Sequence, residues 1–291
     1  TTVIPMDQRI INLFDEYTHK PLSREEFIRR LTILTGSTAA ALAVLPLLEV
    51  NYAHAATISL QDDRLVTEYI NYPADDVTMR AYVARPKQSG VYGGVMVVHE
   101  NRGLNPHIED VTRRMALEGF LAIAPDALAP LGGTPSDTDK ARELFQQLDG
   151  KKTISNFAHG FTYLKTRKDC NGKFACIGFC WGGAMTNNLA IQVPDLLAAA
   201  PYYGRQPDLI EVSKIKAELQ LHYAGMDERI NAGIEAYEKA LKEADKKYQL
   251  YIYEGAQHAF NNDTASTRYN EEAAKLAWSR TVAFFKEKLN G

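Results

Sequence analysis

The sequence predicts an α/β fold, a mostly parallel sheet with helices on both faces, preceded by an N-terminal helical extension. Three observations carry this reading. Short, uninterrupted apolar runs recur along the chain, as strands buried on both faces of a sheet require. Segments with apolar residues at helical spacing separate them, the alternation expected of parallel strands joined by crossover helices. One junction, Gly178-Phe179-Cys180-Trp181-Gly182-Gly183, sets a cysteine in a glycine-framed bend between a strand and a helix.

The extension occupies residues 1–56. Ile10, Ile11, Phe14 and Tyr17 give Asp7 to Tyr17 an amphipathic helical spacing. Ser23-Arg24-Glu25-Glu26 reads as a capping box that opens a second helix. That helix carries Arg29-Arg30 and runs into an apolar stretch from Leu31 to Leu48, interrupted at Gly36 and Pro46. Ala53-His54-Ala55-Ala56 resembles a small-residue cleavage site, so the segment has the parts of a twin-arginine export signal. Against that, Glu25 and Glu26 precede the arginines, and Pro46 with the threonines, serines and glycine makes the run a poor membrane span. A chain opening at Thr1 fits simple loss of an initiator methionine. The favoured reading is a retained helical arm that buries its apolar face on the domain or on a second copy of the chain. No stable membrane span is expected.

The domain over 57–291 follows. Leu65–Tyr72 and Met79–Arg85 open it as strands, read as an antiparallel pair. Gly94–Val98 is a buried strand, His107–Leu117 a helix stopped at Gly119, and Phe120–Ala124 the next strand, closed by Pro125-Asp126. A loop rich in Gly and Pro runs to Pro135 and offers a pocket lining. Helices over Thr138–Leu148 and Thr153–Arg167 lead to the strand Lys173–Ile177, and a helix from Gly183 to about Gln192 follows Cys180. Leu196–Tyr202, Leu219–Tyr223 and Gln249–Tyr253 fit strands; Ile230–Ala244 and Glu271–Leu289 fit helices.

At 291 residues, 45% hydrophobic and 24% charged, the chain can bury one large core. Its net charge is −3, and no basic patch with interleaved aromatics argues for nucleic acid. Cys170, Cys176 and Cys180 form no C-x-x-C pair or disulfide ladder. An active free thiol is easiest to keep in a reducing compartment, so a cytoplasmic location is expected, with the periplasm as the alternative if the arginine pair acts as a signal. Without a P-loop, no cofactor is called for. His99 and Glu100 adjoin, but neighbours on a strand face opposite ways and no third ligand is evident, so no metal is expected.

The chemistry is read from the bend. Strand, sharp turn and helix form the context in which a G-x-[S/C]-x-G match is trusted as a nucleophile elbow. The helix start favours thiolate at Cys180. A free cysteine is often only a small core residue, but the glycine frame argues against that here. Such a nucleophile needs a base and an orienting carboxylate, which in an α/β-hydrolase follow it as acid, then histidine, each after a strand. Asp227 stands just beyond Leu219–Tyr223, and His258 beyond Gln249–Tyr253. Among competitors, His222 lies within a strand, His107 and His159 on helices, and His19 and His54 in the extension; Glu228 is one residue farther from its strand than Asp227. The loop from His99 to Gly103 stands where such folds supply an oxyanion donor, so the backbone amides of Asn101 and Trp181 are assigned to that role.

These residues resemble the dienelactone hydrolase family over roughly 60–291. Gly-Phe-Cys-Trp-Gly-Gly is similar to the family's cysteine elbow, His258 with Phe260 to its His-x-Phe segment, and Pro125-Asp126 and Tyr202-Tyr203-Gly204 to further motifs. The resemblance implies an α/β-hydrolase that opens lactones or cleaves carboxylic esters through an acyl-cysteine. It also implies that Glu100 holds the resting thiol and helps generate thiolate. Two family arginines that bind the dienelactone carboxylate are missing: Ala127–Pro130 and Asn262 stand at their places. Arg102 and Arg205 are the nearest replacements, with Tyr203, Phe260 and Asn262 as further pocket candidates; Asn262 would suit a neutral ester or lactone. Acyl transfer or thioester hydrolysis at the same site, and a non-catalytic binding protein on this fold, are the alternatives. The expected partner is a small-molecule ester or lactone, with homo-oligomerisation through the extension as a further expectation.

Overall fold

The computed structural model describes residues 6–50 and 57–290. The Ala53–Ala56 motif with His54, and the boundary at 56/57, lie outside them. Eight strands form one sheet: β1 (Leu65–Pro73), β2 (Thr78–Pro86), β3 (Tyr92–Val98), β4 (Leu121–Pro125), β5 (Cys170–Phe179), β6 (Leu196–Tyr202), β7 (Glu218–Ala224) and β8 (Tyr248–Tyr253). Their spatial order is β1-β2-β4-β3-β5-β6-β7-β8. β1 pairs antiparallel with β2, and β2 antiparallel with β4; every other pairing is parallel.

The apolar runs behave as strands covered on both faces. Val95 and Val97 of β3 pack with Ile108, Val111 and Met115 of α4 (Pro106–Leu117) and with Phe284 and Phe285 of α10 (Glu271–Asn290). The alternate residues Met96 and Val98 face Phe157, Phe161 and Leu164 of α6 (Gly150–Thr166) and Leu189 of α7 (Trp181–Gln192). The period of two sends successive side chains to opposite layers, and on both faces these side chains are buried. The sequence reading of one helix over Ile230–Ala244 is corrected. The segment divides into α8 (Glu228–Asn231) and α9 (Ile234–Glu243). Gln206 is packed into the break, its Nε2 donating to the Ile230 carbonyl at 3.0 Å. Among the described residues the remaining α-helix of the domain is α5 (Thr138–Phe145), beside short 3-10 turns at Ala129–Leu131 and Leu209–Lys214.

The arm consists of α1 (Gln8–His19), α2 (Arg24–Thr35) and α3 (Thr38–Leu48). Ser23 caps α2 through the Glu26 amide, and Gly36, in the left-handed conformation at φ 82°, stops it. Arg29 and Arg30 both pair with Glu26. The three helices close on a small core of Ile10, Leu13, Phe14, Tyr17, Phe27, Leu31, Ala41, Leu45 and Leu48. Among the described residues no single helix is long and apolar enough to cross a membrane; α2 and α3 meet that test only as a pair bent by 111°.

The arm sits over the carboxyl edge of the sheet. Gln8 bonds to Gln257, Tyr17 donates to Asp139 at 3.0 Å, and Arg24 donates to Asp139 at 2.6 Å. Arg142 donates to the Tyr17 carbonyl at 2.8 Å with its guanidinium 4.1 Å from the Tyr17 ring centre.

Candidate active site

Cys180 joins β5 to α7 with φ 56° and ψ −113°, a conformation that non-glycine residues rarely adopt. Two glycines make so sharp a bend feasible. A Cβ on Gly178 would fall 2.1 Å from the Gly182 carbonyl oxygen, and one on Gly182 would fall 2.3 Å from that of Val98. The bend places the thiol, buried beneath the arm, at the sheet's carboxyl edge, where parallel sheets carry their sites. Cys176, four residues earlier in β5, marks the contrast: fully buried, with Thr186 at 3.4 Å, its thiol is pushed up to about 12.

Asp227 and His258 converge as the chain order demands. Asp227 follows β7 and caps α8 through the Ile230 amide at 3.2 Å. Its second oxygen lies 2.5 Å from His258 Nδ1. This bond orients the ring and leaves Nε2 on the side away from the carboxylate. Both side chains are buried.

The thiol itself is engaged elsewhere. Its Sγ lies 3.0 Å from Nε2 of His19, the last residue of α1. His258 Nε2 is buried with no hydrogen-bond partner among the described residues. Even so, a ring nitrogen from each histidine and the Cys180 sulfur lie within 4.8 Å of one another. His19, set aside in the sequence as a competitor of His258 because it falls in the extension, is thus the imidazole in hydrogen-bond contact with the sulfur. A helix in the extension carries it to the Cys180 sulfur, which position in the chain does not reveal.

His19 also has a carboxylate behind its ring. Its Nδ1 faces three oxygens: the Asp15 carbonyl at 2.8 Å, Asp15 Oδ1 at 3.1 Å and Thr18 Oγ1 at 3.0 Å. Arg229 Nε donates to the other Asp15 oxygen at 2.9 Å. Burial opposes ionisation of Asp15, yet the neighbouring histidines and Arg229 hold its carboxyl well below the usual range. Burial likewise opposes charge on His19, but a Cys180 thiolate and Asp15 raise it above its ordinary value.

The remaining assignments divide. Trp181 opens α7, so its N–H has no acceptor within the helix. Its indole stacks on His99 at 5.4 Å. Asn101 lies across from the arm, its Nδ2 donating to the Thr18 carbonyl at 2.7 Å. Glu100 Oε2 accepts from Asn262 Nδ2 at 2.8 Å, and Oε1 is buried without a partner among the described residues. Glu100 thus holds Asn262 here, while the thiol is with His19, which corrects the expectation that Glu100 holds the resting sulfur.

A cavity of about 500 Å³ opens on Cys180, Trp181 and His258, with Tyr203, Arg205 and Arg229 on its body side and Thr18 to Pro21 as the arm's wall. Arg102 lines a narrower adjoining cleft with Glu100. Phe260 and Asn262 do not line either space. Phe260 is sealed among Tyr202, Tyr203 and Tyr253, and Asn262 is committed to Glu100 and Thr264, so their reading as pocket walls is corrected.

A parallel sheet with antiparallel strands at one end, a strained elbow on its central strand and a carboxylate–histidine pair beyond the last two strands define an α/β-hydrolase. The chain belongs to the dienelactone hydrolase family, whose model matches residues 79–289. An Escherichia coli K12 protein named as a carboxymethylenebutenolidase is 34% identical over 247 residues, covering 79% of this chain and 90% of its own. A Methylorubrum extorquens protein of the same name is 28% identical over 285 residues, covering 92% and 96%. A Klebsiella pneumoniae crystal structure, described as a dienelactone hydrolase, superposes with TM-score 0.70 at 30% identity, covering 76% of this chain and 98% of that one. The protein is therefore a dienelactone hydrolase-like hydrolase.

Proposed function

We propose that this enzyme hydrolyses a small carboxylic ester or lactone through an acyl-cysteine on Cys180. The single observation that carries the reading is the elbow sulfur beside carboxylate-backed imidazoles at the mouth of one cavity. Thiolate attack on the substrate carbonyl forms the carbon–sulfur bond and pushes charge onto oxygen. The backbone amides of Trp181 and Asn101 are assigned to that oxyanion; one such donor is typically worth about 3 kcal/mol. Collapse expels the alcohol, or opens the lactone ring, and water then cleaves the thioester. Asp227 keeps His258 in the tautomer with Nε2 available as base.

The cavity wall favours a substrate bearing an anionic group. Lys20, Arg142, Arg205 and Arg229 line it, and among the described residues no carboxylate does. Arg142 and Arg229 are engaged by the arm and Lys20 lies 3.9 Å from Glu16, which leaves the exposed Arg205 best placed to meet a substrate carboxylate. The test is a panel of carboxylated and neutral esters and lactones assayed with wild type and Cys180→Ala. The variant is expected to lose at least a thousandfold in kcat while folding normally by circular dichroism. Retention of wild-type turnover by Cys180→Ala would overturn the acyl-cysteine reading.

A further inference from the structure

We propose that His19 is a catalytic residue of this enzyme. With Asp15 it forms a second carboxylate–imidazole dyad that serves acylation, while His258 with Asp227 serves deacylation. The proposal rests on the acyl-cysteine reading and adds a division of labour to it.

Geometry supports each half. Nδ1 of His19 faces two Asp15 oxygens, and the Thr18 hydroxyl beside it donates to the Asp15 carbonyl, so Nδ1 carries the ring proton and leaves Nε2 to exchange a proton with the sulfur 3.0 Å away. That distance is a hydrogen bond to the nucleophile, the relation a general base must have. The site also holds His19 in place from the body side. Asn101 takes the Thr18 carbonyl, Arg142 the Tyr17 carbonyl, and Arg229 the Asp15 carboxylate. The carbonyls at the end of α1, which a helix leaves unpaired, are thus satisfied by residues lining the cavity. A cation at that helix terminus is favoured by the backbone dipole as well, which suits an imidazolium formed there. Across the sulfur, His258 Nε2 is buried and unpartnered among the described residues, so it is available to a water when the thiol has been acylated.

The steps balance. The Cys180 proton passes to His19 Nε2, giving thiolate and imidazolium. Sulfur bonds to the carbonyl carbon, the tetrahedral oxyanion collapses, and the departing alkoxide takes the proton from His19 as alcohol. A water then gives a proton to His258 Nε2 as its oxygen attacks the thioester. Collapse breaks the carbon–sulfur bond and releases the acid, and the thiolate recovers its proton from His258. The sum is ester and water to acid and alcohol.

The experiment follows nitrophenol release by stopped flow, acyl-enzyme by intact mass, and Cys180 alkylation by iodoacetamide, in the full chain. His258→Gln is expected to keep a burst of one equivalent and accumulate acyl-enzyme. His19→Gln is expected to lose the burst, slow alkylation at neutral pH by at least tenfold, and suffer more with an ethyl than with a nitrophenyl ester, because alkoxide needs the returned proton. Added imidazole should restore the burst of His19→Gly. Resistance of the arm to limited proteolysis in His19→Gln shows that loss of docking is not the cause; if the arm is released, the imidazole rescue decides. A wild-type burst and alkylation rate in His19→Gln would overturn the proposal while leaving the acyl-cysteine reading intact. Turnover by Cys180→Ala would overturn that reading instead. Loss of the wild-type burst on dialysis against a chelator, restored by Zn²⁺, would make the three side chains a metal centre and likewise overturn the division of labour.

Discussion

Two carboxylate–histidine pairs meet one sulfur in this molecule, and they are built in opposite ways. Asp15 and His19 stand one helical turn apart, so any α-helix over that segment brings them together. Asp227 and His258 stand 31 residues apart on loops beyond adjacent parallel strands, and only the sheet brings them together. The local pair is preassembled but must be delivered by docking of the arm. The tertiary pair needs no delivery, yet exists only in the folded domain. The comparison teaches that a pair's visibility in sequence and its place in the site are separate matters.

The largest expected effect breaks the tertiary pair. Asp227→Asn would leave the geometry in place but disturb the tautomer of His258, and a loss of about 10³–10⁴ in kcat is expected from the analogous change in serine hydrolases. Steady-state turnover measures it; a loss below tenfold would mean that Asp227 does not orient His258. The local pair is expected to be weaker. Asp15→Asn should lower the acylation rate by roughly 10–100-fold, the lower end of what a positioned acid–base group supplies, and leave deacylation unchanged. Single-turnover kinetics separate the two, and an equal loss in both steps would erase the distinction between the pairs.

The smallest effect lies on the loop that follows His258. Asp263 is partly buried, which opposes its charge, but His107 and Arg114 hold its carboxyl at about 2. A depressed carboxyl contributes stability that is present above its unfolded value near 4 and is lost as pH falls through the folded value. Asp263→Asn is therefore expected to cost about 1 kcal/mol at pH 7, discounted for partial exposure. That gap should close between about pH 4 and pH 2 in urea melts. A gap that persists at pH 2 would assign the cost to packing instead.

Much of this protein was legible as sequence. Short apolar runs such as Val95–Val98, largely β-branched and preceded by Gly93-Gly94, read as strands covered on both faces, and the elbow glycines announce a bend that no Cβ could enter. That Asp227 and His258 would lie near one another was legible from chain order, because each follows a strand on the same edge of the sheet. The pocket lining was not legible in the same way. Phe260 and Asn262 flank His258 closely in sequence, but their side chains turn into the layer behind the cavity. The Asp15–His19 spacing was on view throughout, yet nothing in it says what the pair would face.

Local physics acts through neighbours in the chain: strand period, helix spacing, caps and the steric demand of a glycine turn. The sequence by itself therefore determined the alternation of elements, the elbow and the order of its partners. Which imidazole touches the sulfur was decided by the tertiary structure alone. It depends on where α1 comes to rest, set by contacts such as Arg229 with Asp15 and Asn101 with Thr18 between segments more than eighty residues apart. Contacts of that range leave no periodic trace in the chain that makes them.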